Sequence, residues 1–418
     1  MITDPKETRT HAARNADLFA LLPVQIGLAK QKTQFYKELL SGFDPDLVVS
    51  AKALASLPVT RKSELVAIQK ANPPFGGLNA VSLDKMKRVF QSPGPIHELQ
   101  GWGEDNYRMS RAMRAAGFKA GDLVYNTFSY HFTPGAWIME AGAHALGCCV
   151  FPAGTGQTEL QVQTIAHLKP RAYTGTPSFL KIILEKADQL GVSCSSIQVA
   201  LVSGEALPPS LRGWFKDRGI QVVSAYATAD VGLIAYESPD LATGMIVDEG
   251  VILEIVEPLG TQPVAIGEVG EVVVTVFDPD YPLIRFATGD LSAFDVSSLD
   301  QPSPCGRTNL RIKGWMGRVD QTTKVKGMFL YPGHVQEIAK KNPDVAKMRV
   351  ILSGTIGRES MTLHCEVVDP KSSELERLRK HLSDCVRDVT KLRADVEFTQ
   401  SNSLPQDGLL IEDARSYE

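Results

Sequence analysis

Four charged residues in two short segments could bind a nucleotide. Arg285 and Asp290 lie in the run YPLIRFATGDL, and Arg318 and Asp320 lie in the run GRVD. An ionised carboxylate accepts hydrogen bonds without donating any, so Asp290 at the end of a strand can accept from both hydroxyls of a ribose. Arg318 can donate charge-assisted hydrogen bonds to a ribose or to phosphoryl oxygens. The alternative is that these four charges form ion pairs at the protein surface.

The order of these and further segments resembles that of one enzyme family. LPVTRKSEL, AAGFKAGDLVYN, GTGQTELQVQ, GTPSFL, SGEAL, AYATAD, PCGRTNLRI and KVKGMFLYP occur along the chain as in the phenylacetate–CoA ligases of the adenylate-forming superfamily. The resemblance runs from about residue 33 to residue 410. It implies an enzyme that joins a carboxylic acid, expected to be aromatic, to CoA through an acyl-adenylate. ATP, Mg²⁺ and CoA would be required, and a homodimer is expected.

The resemblance also implies roles for individual residues. Asp290 and Arg318 would bind the ribose, and Asp320 would be the hinge about which a small C-terminal domain rotates. Tyr226 would stack on adenine and Asp230 would hold Mg²⁺, a metal that prefers oxygen ligands. The catalytic residues would thus be Asp230, Arg318 and Asp320.

Two turns complete the expected nucleotide site. Ala227 and Thr228 follow the stacking tyrosine, and Ala229 stands where the family has a hydroxyl. The turn beside adenine consists of Ser203, Gly204, Glu205 and Ala206. A Ser-Gly-Glu turn after a strand needs only ordinary turn chemistry, so a purely structural role is the alternative.

The segment at the place of the family's phosphate loop departs from the family pattern. It reads Phe90–Glu98, FQSPGPIHE, and keeps Ser92 and Gly94 as the remnants of a loop rich in hydroxyls and glycine. Two prolines remove backbone donors, and Glu98 is acidic where pyrophosphate is expected. Near the C-terminus, Leu409 stands at the place of the family's adenylation lysine.

These departures leave two functions open. The first is the ligase described above. The second is a degenerate relative that binds an aromatic ligand or an adenylate without efficient ATP activation. Leu409, Ala229 and Glu98 favour the second function, whereas Asp290, Arg318 and Asp320 favour the first.

The carboxylic acid is expected near two loops that line the aryl site in the family. They contribute Tyr130, His131, Phe132, Gly154 and Gly156. Aromatic residues at the end of a strand are also common in protein cores, so a packing role is the alternative.

Zinc is expected to be absent from this chain. Many relatives hold a structural zinc ion, but the corresponding places here offer Ser238, Met245, Ser303 and Cys305. One thiolate does not make a four-ligand zinc site. Protein purified without added metal should therefore contain no stoichiometric zinc in elemental analysis, and one zinc ion per chain would contradict this prediction.

The elements that position these residues follow from periodicity. Apolar spacing predicts a helix over residues 17–40 with a kink or break at Pro23. Helix–strand units alternate from about residue 105 to residue 228, which predicts a mostly parallel sheet with helices on its faces. Ligands collect at the carboxyl ends of the strands in such sheets. Beyond about Ala235 the strands read as hairpins of a β-rich subdomain.

The expected fold class is α/β, the adenylate-forming enzyme fold. A large N-terminal domain over residues 1–318 would activate the acid, and a small, mobile α+β domain would cover residues 321–418. The 43% hydrophobic and 22% charged residues are typical of a globular protein.

Composition also excludes several classes of partner. The net charge of −4 with no long basic run argues against nucleic acid. The charged N-terminal residues do not form a signal peptide, and no apolar run is long enough to span a bilayer. A cytoplasmic protein is expected, and the six cysteines are too few for a disulfide scaffold.

Overall fold

Helices and strands alternate along most of the chain, as the periodicity predicts. A computed structural model describes residues 4–241, 243–316, 318–319, 323–325, 328–330, 332–343, 345–355, 358–367, 375–405 and 409–415. The α-helices within these residues are α1 His11–Lys32, α2 Gln34–Leu39, α3 Ala51–Ala55, α4 Leu65–Ala71, α5 Met109–Ala115, α6 Gly135–Ala145, α7 Thr158–Leu168, α8 Pro177–Leu190, α9 Pro209–Asp217, α10 Pro332–Lys341 and α11 Leu375–Thr390. Short 3-10 helices cover Pro5–Thr8, Pro45–Leu47, Lys62–Glu64, Leu83–Lys85 and Val296–Leu299.

The strands are short, and most are buried. They are β1 Thr60–Arg61, β2 Arg88–Ser92, β3 Ile96–Gln100, β4 Leu123–Asn126, β5 Cys149–Pro152, β6 Ala172–Gly175, β7 Val199–Val202, β8 Gln221–Thr228, β9 Gly232–Tyr236, β10 Met245–Val247, β11 Val251–Val256, β12 Gly270–Val276, β13 Phe286–Ser292, β14 Arg311–Ile312, β15 Thr323–Val325, β16 Met328–Leu330, β17 Lys347–Thr355, β18 Arg358–Val367, β19 Asp395–Gln400 and β20 Ile411–Asp413.

The chain divides into two compact units, Met1–Val319 and Asp320–Glu418. The first holds an eight-stranded sheet of order β14-β10-β9-β8-β7-β6-β4-β5, in which β8 to β5 run parallel. A second sheet of order β1-β13-β12-β11 forms the predicted β-rich part. The α/β class with a mostly parallel sheet is thereby confirmed.

The second unit is α+β. A four-stranded sheet of order β19-β18-β17-β20 packs with α10 and α11 around its own apolar core, which includes Val350, Leu363 and Leu382. The hairpin β15–β16 belongs to the same unit. Asp320, the predicted hinge, lies outside the described residues, so rotation about it stays a prediction.

Local capping explains where the helices begin and end. Thr176 accepts a hydrogen bond from the Phe179 N–H (3.3 Å), and Pro177 begins α8 at the position where its missing donor costs nothing. Gly191 ends the helix in a left-handed conformation (φ 63°), which suits glycine. Pro23, by contrast, does not end α1. The helix continues to Lys32, and Thr33 then caps α2.

Buried ion pairs hold the N-terminal segment Asp4–Arg14 against residues far along the chain. The Glu7 carboxylate accepts from Arg307 Nε (2.5 Å) and from the Tyr236 hydroxyl (2.9 Å). Arg14 donates to Glu249 from Nε (2.8 Å) and Nη2 (2.9 Å). Because these charges are buried, each depends on its partner for compensation.

Among the described residues, no helix is both long and apolar enough to cross a membrane.

Candidate functional site

The Asp290 carboxylate joins three segments of the N-terminal unit. It lies on β13, and its Oδ2 accepts from the Tyr226 hydroxyl on β8 (2.8 Å). Its Oδ1 accepts from Arg318 Nη1 (2.9 Å) and from the Trp315 indole Nε1 (3.1 Å). Three residues predicted to bind the nucleotide, Tyr226, Asp290 and Arg318, are therefore in contact.

The surroundings of Tyr226 keep its hydroxyl protonated, so that it donates a hydrogen bond to Asp290. Burial and the neighbouring Asp290 charge raise the pKa of the Tyr226 hydroxyl well above its usual value. A carboxylate offers about four lone-pair positions, and three donors already occupy Asp290. A ligand that donates two hydrogen bonds would therefore have to displace one of these donors.

Trp315 is the contact of Asp290 that the sequence analysis missed. Its side chain is 44% exposed, so the indole is the donor that can most easily turn away to solvent. The only signal in the sequence was an aromatic residue shortly before the GRVD run. An aromatic residue close to a polar motif does not by itself indicate which carboxylate its ring will contact.

A second cluster surrounds Asp230, which follows β8. The Lys62 ammonium lies 2.5 Å from Asp230 Oδ2 and 4.0 Å from Glu98 Oε1. Both carboxylate side chains are 1% exposed, and the Lys62 side chain is 19% exposed. Two buried acids thus share one lysine, which is the member of the cluster that solvent reaches.

The charges of this cluster depend on one another. Burial by itself would lower the pKa of Lys62, but the Asp230 and Glu98 carboxylates outweigh it, against the opposing charge of Arg318, and raise that pKa. Burial, and then the charge of Asp230, raises the pKa of Glu98 well above its usual value. The two carboxylates therefore favour the charged form of Lys62, and burial beside Asp230 favours the protonated form of Glu98.

The residues around Asp230 do not fit a Mg²⁺ ion in this arrangement. Lys62 bonds Oδ2, Oδ1 has no hydrogen-bond partner among the described residues, and Asp230 lines a cavity of about 10 Å³, the space of one water molecule. Mg²⁺ requires octahedral oxygen ligands and usually keeps several waters. No group of three or more His, Cys, Asp or Glu side chains suited to a metal occurs in the described part of the chain.

The segment expected to be a phosphate loop is an antiparallel hairpin, β2–β3, whose register pairs Ser92 with Ile96. The Ser92 hydroxyl donates to the Glu98 carboxylate within the hairpin. Gly94 lies in the turn with φ 149°. The Glu98 carboxylate therefore lies buried against Ser92 and Lys62, a placement that its acidic character alone did not indicate.

The profile of the family described as AMP-binding enzyme matches residues 104–276. A phenylacetate–coenzyme A ligase from Aromatoleum evansii is 28% identical to the chain over 382 residues, which are 86% of the chain and 83% of the relative. A protein of the same name from Thermus thermophilus is 28% identical over 364 residues, or 82% and 79%. The chain is therefore similar to AMP-binding enzymes.

A solved structure of 2-hydroxyisobutyryl-CoA ligase, in complex with 2-HIB-AMP and CoA, has the same fold as this chain. The TM-score is 0.85 at 24% identity, and the match covers 99% of this chain and 92% of the other. The predicted adenylate-forming fold is thereby confirmed.

The turn after β7 has a clear structural function. The Ser203 hydroxyl donates to the Ala225 carbonyl (2.7 Å), and the Glu205 carboxylate accepts from the Ser178 hydroxyl (2.5 Å). Gly204 has a left-handed backbone, with φ 80°. These contacts fix the turn beside β8 and leave the contact of Ala206 with adenine a prediction.

The end of β8 is irregular. The pairing of β8 with β9 shifts register between Tyr226 and Ala227. The Thr228 hydroxyl accepts from the Val231 N–H (3.2 Å), so this side chain holds the turn that leads to Gly232.

The two loops of the expected acyl pocket follow neighbouring parallel strands, β4 and β5, at their carboxyl ends. The Tyr130 hydroxyl donates to Glu140 (2.8 Å). The Gly154 and Gly156 carbonyls accept from Gln161 Nε2 at 3.1 Å and 3.2 Å. His131 and Phe132 are exposed. Both loops lie at the same edge of the sheet, as expected for the walls of one pocket. Their contact with a carboxylic acid stays a prediction.

Replacement of Asp290 by alanine is expected to weaken AMP binding by about 1.5–3 kcal/mol, the range for hydrogen bonds to a charged group. Calorimetric titration of both proteins would measure the loss. Asp295→Ala is a suitable control, because Asp295 is another carboxylate of the same unit that pairs with Arg311 instead. Equal AMP affinity of a folded Asp290→Ala variant would place the ribose elsewhere.

Replacement of Glu98 by glutamine is expected to reduce the dependence of stability on pH. Because the pKa of Glu98 is raised in the folded state, the unfolded chain releases this proton first as pH rises above about 4.5. The free energy of unfolding of the wild type therefore falls as pH rises. The glutamine variant has no proton to release at this position and does not lose that stability.

Thermal midpoints at several pH values would check this prediction. The thermal midpoint of Glu98→Gln should rise relative to that of the wild type as pH increases from about 5 to 8. Glu104→Gln, at an exposed glutamate of the same segment, should follow the wild type. Parallel curves for Glu98→Gln and the wild type would contradict the prediction.

Proposed function

We propose that this protein is an AMP-forming acid–thiol ligase that joins a carboxylic acid to CoA through an acyl-adenylate. The observation that carries the proposal is the Asp290 carboxylate, held by Tyr226, Trp315 and Arg318 in a chain similar over most of its length to proteins named phenylacetate–coenzyme A ligase. An aromatic acid is the substrate class that those names favour.

The residues of the N-terminal unit would act as follows. Asp290 accepts hydrogen bonds from the ribose hydroxyls after one of its present donors moves away. Arg318 keeps the Asp290 charge in place, and its guanidinium can also donate to the ligand. Tyr226, whose hydroxyl is fixed on Asp290, offers its ring to the adenine.

The reaction has two halves. In the first, a carboxylate oxygen of the acid attacks the α-phosphorus of ATP, and pyrophosphate leaves with the electron pair of the broken P–O bond. In the second, the CoA sulfur attacks the acyl carbon and AMP leaves. The cytoplasm, where ATP and CoA are both present, is the compartment we propose, and a homodimer stays a prediction.

A second candidate is a relative that binds an adenylate without efficient ATP activation. The hairpin β2–β3 favours it, because Pro93 and Pro95 lack backbone donors and the Ser92 hydroxyl is engaged with Glu98. Such a protein would still have the Asp290 cluster for the nucleoside.

ATP–pyrophosphate exchange across a panel of aryl and alkyl acids would separate the two candidates. The ligase should show acid-dependent exchange with at least one aromatic acid, and mass spectrometry should detect the corresponding CoA thioester. AMP binding without exchange or thioester would favour the second candidate. Absence of AMP binding would overturn both.

A further inference from the structure

Arg88 connects the hairpin β2–β3 with the loop that follows β4. It begins β2 and shares the inner face of the hairpin with Phe90, since alternate residues of a strand lie on one face. Its guanidinium carbon Cζ lies 3.9 Å from the centre of the Trp137 ring on α6. The Gln91 N–H donates to the Phe132 carbonyl (2.9 Å), which fixes the hairpin to that loop. Arg88 therefore lies beside the loop that is expected to line the acyl pocket.

Arg88 is also close to the Asp230 cluster. Its Nη1 donates to the Gln100 amide oxygen (3.1 Å), and Gln100 and Asp230 line the same small cavity. The pKa of the Tyr107 hydroxyl is raised above all by burial, and the charges of Asp230 and Arg88 shift it in opposite directions. Arg88 is therefore adjacent both to the expected acyl pocket and to the cluster around Asp230.

The partners of the Arg88 guanidinium are neutral. The buried arginines Arg14, Arg285 and Arg307 each pair with a carboxylate. Arg88 is half-buried, and among the residues that the structure describes it contacts an amide oxygen and an indole ring and pairs with no carboxylate. Within the same residues, its Nε and Nη2 atoms have no hydrogen-bond partner. These two atoms form a fork that can donate to both oxygens of one carboxylate.

Stacking on Trp137 leaves this fork free for a ligand. A guanidinium that lies over a ring donates in its own plane, so the ring supports one face of Arg88 without using its N–H groups. Tyr130 packs against Trp137 with the two rings nearly perpendicular and their centroids 5.0 Å apart. Aromatic rings beside a free guanidinium suit an aromatic carboxylate, whose ring packs on theirs and whose charge pairs with the arginine.

We propose that Arg88 binds the carboxylate of the acid substrate and positions it for attack on the α-phosphorus of ATP. This inference rests on the proposed function. In the attack a carboxylate oxygen bonds the phosphorus while pyrophosphate leaves with the electron pair, so the acid must arrive ionised and oriented. Once the adenylate has formed, the carboxyl group has lost that charge. Arg88 should therefore matter in the first half-reaction and not in the second.

The competing possibility is that Arg88 only fastens the hairpin to Trp137. A packing role of this kind would affect folding and both half-reactions alike. Arg88→Met removes the charge and keeps most of the length of the side chain, whereas Arg88→Lys keeps the charge without the fork. Arg218→Met is the matched control, since Arg218 lies over Trp214 (3.5 Å) at the surface and pairs with Asp188.

Comparison of the two half-reactions tests the proposal. In ATP–pyrophosphate exchange with the aromatic acid that the wild type uses best, Arg88→Met should raise the KM for the acid about ten- to a hundredfold, as expected for the loss of hydrogen bonds between charged groups. Its rate of thioester formation from the preformed adenylate and CoA should be unchanged. Arg88→Lys should have an intermediate KM, and Arg218→Met should match the wild type in both reactions.

A binding measurement makes the test independent of the rate of adenylation. Calorimetric titration in the presence of AMP would compare the acid whose adenylate gives the thioester fastest with the neutral amide of the same acid. The wild type should bind the acid more tightly than the amide, because only the acid carries a charge for Arg88. Arg88→Met should lose this preference and bind the amide as the wild type does.

Several results would overturn the inference. They are an unchanged KM for the acid in a folded Arg88→Met variant, equal losses in both half-reactions, or an unchanged preference for the acid over the amide. If Arg88→Met does not fold, Arg88→Lys decides, since its acid affinity should fall with the loss of the fork and an undiminished affinity would contradict the proposal. A wild type that forms the thioester neither from the acid nor from the adenylate would instead overturn the proposed function, and this inference with it.

Discussion

A preformed aryl-adenylate and CoA are expected to give the thioester at least about a hundredfold faster than the free acid, ATP and CoA. Electrostatic donors that stabilise the departing charge each contribute roughly 10²–10³-fold to rate. By its resemblance to phenylacetate–CoA ligases, the chain is expected to have Leu409 at the place of one such donor and the hairpin β2–β3 at the place of others. Thioester formation requires neither, because the adenylate is already activated.

Rapid-quench kinetics of the two routes, with the acyl-CoA product quantified by chromatography, would measure the ratio. Leu409→Lys should raise the ATP-dependent rate and leave the adenylate-dependent rate unchanged. Leu409→Met is the matched control of similar length without charge. Equal rates by the two routes in the wild type would show that another cation has replaced the lysine.

Arg415, the nearest cation in sequence, is poorly placed for that replacement. Its guanidinium bonds the Asp413 carboxylate and the Thr323 hydroxyl (2.8 Å from Nη2) within the C-terminal unit. A charge already engaged by a carboxylate stabilises a departing pyrophosphate less. Arg415→Gln should therefore leave the ATP-dependent rate within a few-fold of the wild type.

The second large effect is on stability. Arg285→Met is expected to lower the free energy of unfolding of the N-terminal unit by about 3–5 kcal/mol, the range for breaking a buried ion pair. Arg285 is fully buried, and its guanidinium donates to both oxygens of Glu254 (3.0 Å and 3.1 Å). It also donates to three backbone carbonyls, those of Ala55, Leu57 and Thr261.

The variant leaves Glu254 and these carbonyls without their donor. Urea denaturation, monitored by tyrosine and tryptophan fluorescence, would measure the decrease in the free energy of unfolding. Arg285→Met/Glu254→Gln should recover part of it by removing the unpaired charge. Lys181→Met is the control, since Lys181 pairs with Glu185 at the surface and its loss should cost less than about 1 kcal/mol. Similar losses for both single variants would contradict the prediction.

Arg285 also shows what the sequence could and could not predict. The surface alternative for the charges of YPLIRFATGDL is wrong for Arg285, because this side chain is fully buried, with its partner Glu254 and its carbonyl acceptors on other segments of the chain. Periodicity and capping are local, and they predicted the helices and the parallel sheet well. A buried guanidinium is a consequence of tertiary packing that no local pattern displays.

The same limit applies to the residues of the candidate site, since local patterns in the sequence do not show which distant residues will meet. Tyr226, Asp290 and Arg318 could be grouped because each lies in its own recognisable segment. Lys62, Asp230 and Glu98 could not, since Lys62 and Asp230 lie 168 residues apart and Glu98 belongs to a hairpin that carries no motif for contact with either. In the sequence, Lys62 stood only within the segment LPVTRKSEL, and in the structure the 3-10 helix there begins with the Arg61 N–H donating to Glu64 (3.4 Å).

The buried ion pairs of the segment Asp4–Arg14 have a consequence for the order of synthesis. Glu7 leaves the ribosome well before its partner, because Arg307 is made 300 residues later. At a synthesis rate of roughly 5–20 residues per second, Arg307 is made on the order of 15–60 s after Glu7, and the Glu7 carboxylate lacks this partner until then. The N-terminal unit can therefore close only when nearly all of it has emerged, and a pause in translation before Arg307 would prolong the time for which that segment is open to proteases and chaperones.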